Sequence, residues 1–367
     1  MSSFYSKLSS QIINNEYYTE SCNKVFEAYV AKMAKEPFEI NQKTLKQLST
    51  SIQYFYRSDN RDYLNEGAIL LSMLLYVCGE KSPELIAIAD DVFSYVGEFP
   101  NIKLLKDKFP QLDFRISIFD RAQKEFREDL NTVEDIGHPL TDYQRVLWED
   151  LRSDNDVITS APTSAGKTHI ILNYLMQQLI ESEGAFAVVI VPTRALISEV
   201  AGKIYELAKN KNCEKSIEIC SIPKEGAFNN KTFFVMTQER LYEVLQSGDL
   251  YFDYLFVDEA HNISDKSRGV LLHLTLQKML EDSNPQIIVS MPSASYQNAF
   301  DSVFKDVEFS KKTTKHSPVA KIVMSLAFNG KKLHISRIDS NEYIAIDKNF
   351  TKKKLADIVV RLGQGES

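Results

Sequence analysis

Apolar positions change their spacing once along this chain, near residue 137, and the change separates two kinds of structure. From residue 1 to about 135 they recur at helical intervals with almost no strand-like alternation, as in Ala68-Ile69-Leu70, Leu74-Leu75-Tyr76, and Phe119, Ala122 and Phe126. An all-α N-terminal domain is expected there. The longest apolar run, Gly67 to Cys78, includes Ser72 and falls far short of the ~20 residues that cross a bilayer, so it reads as a core helix. After Gly137-His138-Pro139, short β-branched runs alternate with amphipathic stretches, which predicts an α/β domain over 136–300 built on a doubly wound parallel sheet. Its expected strands are Asp156–Ser160, Phe186–Val191, Ile217–Ser221, Phe233–Thr237, Tyr254–Val257 and Ile287–Ser290, each short and mostly apolar as buried parallel strands are. From 301 to 367 the pattern becomes a β-hairpin extension and linker. Lys321–Phe328 and Lys332–Ile338 flank an Asn329-Gly330 turn signal, and Lys353–Leu362 reads as a short helix.

Composition narrows the class. A chain of 367 residues holds two or three folding units, and 25% charged with 44% hydrophobic residues is an ordinary globular balance that argues against disorder. The net charge of −7 at first disfavours a phosphate backbone as partner. It is unevenly spread, however: residues 1–140 carry −5 (16 basic, 21 acidic) and residues 301–354 carry +6 (12 basic, 6 acidic), including Lys311-Lys312 and Lys352-Lys353-Lys354. Such lysines usually form a solvated face, yet a local basic flank can serve nucleic acid under a negative global sum. Cys22, Cys78, Cys213 and Cys220 lack the spacing of a disulfide framework or zinc site, and the N-terminus shows no secretory signal, so a cytoplasmic setting and no membrane partner are expected.

The most informative segment runs from Val157 to Thr168, an apolar strand followed by Ala161-Pro162-Thr163-Ser164-Ala165-Gly166-Lys167-Thr168 and a helix. Gly-Lys-Thr alone marks many loop-to-helix junctions; after a strand it has the context of a phosphate loop. Small residues let backbone N–H groups curl around a β-phosphate, and the helix N-terminus adds partial positive charge. Lys167 is the candidate for neutralising the β- and γ-phosphates and Thr168 for a magnesium ligand, so ATP and Mg²⁺ are the expected cofactors. Pro162, Thr163, Ser164, Ala165 and Gly166 complete the candidate ATP-binding loop, with Ala161 where a first glycine is usual.

Further on, Tyr254-Leu255-Phe256-Val257 delivers Asp258-Glu259-Ala260-His261. An apolar strand ending in two carboxylates suits a second magnesium contact at Asp258 and a general base at Glu259. By itself such a sequence is also a solvated acidic turn. No Cys or His partners stand at metal-ligand spacing around His261.

Together these segments resemble the first RecA-like motor domain of the superfamily-2 helicases, DEAH-box and Ski-like, a resemblance covering about residues 137–300. It places Gln144, in Leu140-Thr141-Asp142-Tyr143-Gln144, at the adenine edge, where an amide offers both donor and acceptor. It places Pro192, Thr193 and Arg194 of Val191–Leu196, and Thr237 of Met236–Leu241, against a nucleic-acid backbone. It also makes His261 a relay to Ser293-Ala294-Ser295, the element that couples hydrolysis to strand movement, with Ser295 where Thr is usual and Pro292 ahead of it as a departure from the family pattern. The loop is most like the Ski-type branch, whose members move 3′ to 5′ along single strands. The tyrosine-rich helical domain before the motor, and the hairpin after it, resemble the helicase subunit of the Hachiman anti-phage defence system, which tips the expected single-stranded partner toward DNA.

The resemblance also implies a second RecA-like domain, whose arginines complete the ATP site. The residues after 300 are too few for one, so the expectation is a fragment with weak or no ATP turnover alone. An alternative function is a partner-binding ATP switch, whose helical domain docks an effector nuclease that the motor gates.

Overall fold

The computed structural model describes residues 4–33, 35, 37–110, 118–222, 227–246, 250–265, 268–296, 299–300, 303–304, 307–329, 332–337 and 343–346. The chain forms two units, Met1–Asp129 with Pro318–Ser367, and Leu130–Ser317. The first holds helices α1 (Phe4–Ile13), α2 (Glu16–Met33), α3 (Gln42–Tyr56), α4 (Arg61–Cys78), α5 (Pro83–Tyr95), α6 (Phe99–Lys108) and most of α7 (Ile118–Asn131). Side-chain caps set the helix starts: Asn41 accepts from the Thr44 N–H at 2.9 Å, Asn60 from Asp62 at 2.8 Å, and Ser82 from Leu85 at 3.3 Å ahead of Pro83 in the first turn. The helical spacing read from the sequence buries Val25 and Phe26 of α2, Ile52 and Phe55 of α3, Leu70 and Leu74 of α4, and Ile86 of α5 in one core.

Helix α7 departs from that rule. Phe119 and Phe126 stand outward, 86% and 64% exposed, while Lys124 and Arg127 turn inward. Lys124 pairs with the fully buried Asp90 of α5, and Arg127 donates to the Ser94 carbonyl at 2.6 Å with its guanidinium over the Phe99 ring. Helical periodicity alone gives no sign of this inversion, because it follows from the ion pair and not from apolar burial. Among the described residues no helix is long and apolar enough to cross a membrane.

The second unit opens with a two-strand ladder, β1 (Thr132–Val133) against β2 (His138–Pro139). It continues through α8 (Asp142–Arg152), β3 (Val157–Ser160), α9 (Lys167–Glu181), β4 (Ala185–Ile190), α10 (Arg194–Asn210), β5 (Glu218–Cys220), β6 (Lys231–Met236), α11 (Gln238–Leu245), β7 (Tyr254–Val257), α12 (Arg268–Asp282), β8 (Gln286–Met291) and β9 (Ser310–Thr313). The sheet is wholly parallel in the order β5-β6-β4-β7-β8-β3-β9, an α/β fold with helices on both faces. Alternation along each strand feeds two cores. Val189, Phe233, Val235, Phe256 and Ile288 pack with Ile170 and Tyr174, whereas Val188, Phe234, Leu255, Val257 and Val289 pack with Leu241, Leu272 and Leu276.

Strand β9 lies outside the six expected strands. Its Ser310-Lys311-Lys312-Thr313 is polar because it is the sheet edge, where lysines keep other chains from pairing. Part of the basic flank therefore serves the fold, with Lys312 3.4 Å from Asp150. The C-terminal extension expected over 301–367 is thus divided: β9 belongs to the sheet, and Ala320, Ile322 and Met324 pack on the helical core of the first unit. Around the expected hairpin, β10 (Met324–Asn329) pairs antiparallel with β11 (Lys332–Arg337), and a third strand, β12 (Tyr343–Ile346), joins β11. The helix expected over Lys353–Leu362 lies outside the described residues.

Candidate active site

The strand order brings the informative segments to one edge of the sheet, the C-terminal ends where open α/β sheets bind ligands. Strands β7, β8 and β3 are consecutive neighbours and deliver the acids, Ser290 and the phosphate loop. Strands β6 and β4 lie on the other side of β7 and deliver Thr237 and Pro192-Thr193-Arg194.

Beyond β3, Ala161 continues the ladder through a 3.1 Å bond from its N–H to the Met291 carbonyl, and the loop then closes on itself. Lys167 is 3% exposed, and its Nζ donates to the carbonyls of Ala161 at 2.6 Å and Pro162 at 3.1 Å. Burial lowers the pKa of this ammonium, opposed by the charges of Glu259 and then Asp258. Gly166 adopts φ 75°, a left-handed conformation that a side chain resists, and a Cβ there would lie 2.5 Å from Gln144 Nε2. At the loop's far side the Ser164 and Ser317 hydroxyls are 2.6 Å apart.

Gln144 braces this loop from α8. Its Oε1 accepts from the Thr141 N–H at 3.0 Å while Thr141 Oγ1 accepts from the Gln144 N–H at 3.2 Å, a capping box, and its Nε2 donates to the Ala165 carbonyl at 3.1 Å. The amide keeps one N–H and one lone pair for another partner.

Three hydroxyl and amide groups converge on Asp258. Thr168 Oγ1 stands 3.2 Å from Oδ2, Ser290 Oγ donates to Oδ1 at 2.6 Å, and the Glu259 N–H donates to Oδ1 at 3.1 Å. The hard oxygens of Thr168 and Asp258, side by side at the loop, are the donor type a magnesium ion takes. Glu259 sits at φ 50°, a left-handed backbone that turns its carboxylate away from the strand, where Oε2 is 3.2 Å from His261 Nδ1. Ser293 and Ser295 follow β8, exposed, with their hydroxyls 3.0 Å apart.

Across β7, Thr193 caps α10 by accepting from the Leu196 N–H at 3.4 Å, and Arg194 is exposed. Thr237 stands at the N-cap of α11, buried, its side chain bonded to Glu239 in the first turn and not to a backbone N–H of the cap. Arg194 and Thr237 share a recess of about 360 Å³ with Arg240, Arg268, Glu239 and Glu243. Arg240 and Arg268, like Ser290, lie outside the residues singled out in the sequence. Ser290 ends an apolar strand and is visible there as a polar strand terminus; the two arginines carry no local signal.

Residues 141–303 match the family model for the DEAD/DEAH box helicase. Over these residues the α/β unit is similar to the DEAD/DEAH box helicase domain. The chain is 28% identical over 172 residues to the ATP-dependent DNA helicase Hel308 of Thermoplasma acidophilum, covering 44% of this chain and 24% of that protein. It is 31% identical over 158 residues to the mitochondrial ATP-dependent RNA helicase MSS116 of Eremothecium gossypii, covering 38% of this chain and 23% of that one. The match thus spans about a quarter of the length of these curated relatives. Among solved structures, the yeast DEAD-box splicing factor Prp28 aligns at a TM-score of 0.42 and 16% identity over 51% of this chain and 47% of that one.

Proposed function

We propose that the helicase domain is the ATP-binding half of a translocase that moves along single-stranded nucleic acid. The observation that carries this is the convergence of Thr168, Ser290 and the phosphate loop on Asp258, with the Glu259 carboxylate next to it, 3.2 Å from His261 Nδ1. In this reading Lys167 leaves the carbonyls of Ala161 and Pro162 to meet the β- and γ-phosphates, which the N–H groups of Pro162-to-Thr168 loop residues other than proline also bind. Thr168 and Asp258 would hold magnesium, which would offset the negative charge of the phosphates. Glu259 takes the proton of the attacking water, and its contact to His261 fixes the carboxylate's orientation. Gln144 offers its remaining donor and acceptor to the adenine edge. Thr193, Arg194 and Thr237, with the Pro192 turn, meet the strand's phosphates, and His261, Ser293 and Ser295 pass the nucleotide state onward.

Movement 3′ to 5′, a preference for DNA, a cytoplasmic setting and a place in anti-phage defence belong to the same reading. They are supported by the Ski-type loop Ala161–Thr168 and by the tyrosine-rich helical unit. Slow turnover by the chain on its own belongs to it too. The basic side chain bonded into the phosphate loop is Lys167, whereas an added arginine is worth about 10³–10⁵ in phosphoryl transfer. The test is equilibrium binding of a fluorescent ATP analogue followed by steady-state ATPase with and without oligo-dT or oligo-U. Binding that Lys167→Ala abolishes is expected. Absence of nucleotide binding by the parent chain sinks the proposal, and brisk stimulated turnover sinks its slow-turnover part.

A second reading, an ATP switch that gates an effector nuclease docked on the helical unit, is favoured by the outward Phe119 and Phe126 of α7. Their spacing of seven puts both rings on one face of α7, and a contiguous apolar patch, unlike a single exposed side chain, marks a contact surface.

A further inference from the structure

Arg268 is the first residue of α12, and its contacts reach three segments that the proposed function treats separately. Its guanidinium donates to the Pro192 carbonyl, in the turn after β4, and lies 3.4 Å from Glu239 Oε1 in the first turn of α11. Its own carbonyl accepts from Gln238 Nε2 at 3.4 Å, and Thr275, farther along α12, reaches the Gln238 carbonyl at 3.4 Å. Thr237, the N-cap of α11, is therefore seated on α12 from two directions.

The other end of the linkage is the acid segment. After Asp258 and Glu259 the chain makes a 3₁₀ turn, Ala260–Ser264, locked by Asn262 Nδ2 donating to the Glu259 carbonyl at 2.7 Å. Asp265 then caps α12, accepting from the Arg268 N–H at 3.0 Å through its side chain and from the Gly269 N–H at 2.9 Å through its carbonyl. The turn packs so closely on α12 that a Cβ at Gly269 would fall 2.0 Å from the Ile263 carbonyl oxygen. A shift of Glu259 is thus passed to α12 with little slack.

We infer that Arg268 is a positioning residue that ties the acid segment to the Pro192 turn and to the start of α11, so that nucleotide and single strand each change the other's affinity. This rests on the proposed function, since it assumes both ligands. A guanidinium suits the task because its planar fork holds a carbonyl and a carboxylate at once, which an ammonium does not. Coupling of this kind is reciprocal by thermodynamic necessity.

The experiment uses the whole chain and measures the dissociation constant of a fluorescent ATP analogue with magnesium, with and without saturating oligo-dT, and the converse. The parent chain is expected to show a coupling factor of at least about fivefold. In Arg268→Gln the factor falls to within about twofold of unity, while each ligand alone keeps its affinity within about threefold. Glu239→Gln, which spares the bond to Pro192, gives an intermediate factor, and Arg268→Lys restores part of the loss. A factor that persists in Arg268→Gln overturns the inference, and strand affinity lost with coupling intact makes Arg268 a simple phosphate contact. A parent chain that binds both ligands without coupling overturns it as well. A parent chain that binds the nucleotide but no single strand, DNA or RNA, overturns the proposed function and this inference with it, and that arm needs no variant.

Discussion

Replacing Gly166 by alanine separates backbone strain from crowding in the phosphate loop. At φ 75° an L-residue costs about 1–2 kcal/mol, and the new methyl would sit 2.5 Å from Gln144 Nε2. Gln144 must then move, losing its bond to the Ala165 carbonyl and its half of the capping box on α8. One half-buried hydrogen bond and part of a cap together add about 1–2 kcal/mol, so Gly166→Ala should destabilise the α/β unit by about 2–4 kcal/mol. In a Gln144→Ala background the obstacle is gone, and the same substitution should cost only the backbone share, about 1–2 kcal/mol. The chain has one tryptophan, Trp148, 5% exposed on α8 with its ring edge-on to Tyr174 at 6.2 Å. Its fluorescence during urea unfolding reports this unit directly. Equal costs in the two backgrounds would refute the role given to Gln144, and a cost under about 0.5 kcal/mol in the parent would refute the strain argument altogether.

Two further outcomes follow from the same contacts. Ser290→Ala removes a hydrogen bond to the Asp258 carboxylate, and bonds to charged groups contribute about 1.5–3 kcal/mol; ATPase kcat of the active assembly should fall about 10- to 100-fold with KM little changed. An unchanged kcat would show that Asp258 is oriented without it. Lys124→Ala leaves Asp90, 1% exposed, as an uncompensated charge, so the helical unit should lose about 3 kcal/mol by circular dichroism melts, whereas the double variant Asp90→Ala, Lys124→Ala should recover part of that.

The phosphate loop and the acid strand were legible because each pairs a short apolar run, of the kind buried parallel strands carry, with polar residues at its end. The six expected strands all appear, within a few residues of their expected bounds. What escaped has a common physical cause: it is stabilised by partners distant in sequence. Strand β9 is polar because it edges the sheet, and so lacks the apolar run that marks its neighbours. The outward phenylalanines of α7 follow from Lys124 seeking Asp90. Arg268 has an unremarkable local sequence, and only the folding of β4 and α11 beside α12 gives its guanidinium two acceptors. Gln144 stood out in the sequence through the family resemblance, and not as the brace that its capping box and its bond to Ala165 make it.

Strand β9 has a mechanical side. It lies parallel to β3 in register from Val157↔Ser310 to Ser160↔Thr313, Thr314 extends the ladder to the Ser160 carbonyl, and Ser317 touches Ser164 in the loop. Tension drawn on the chain along this strand shears those bonds side by side, since they run across between the strands, so they resist together and yield together. A pull across the sheet would peel them singly. The phosphate loop therefore rests beside a shear clamp, and force carried by the backbone past Ser317 would be felt first at the hydroxyl of Ser164.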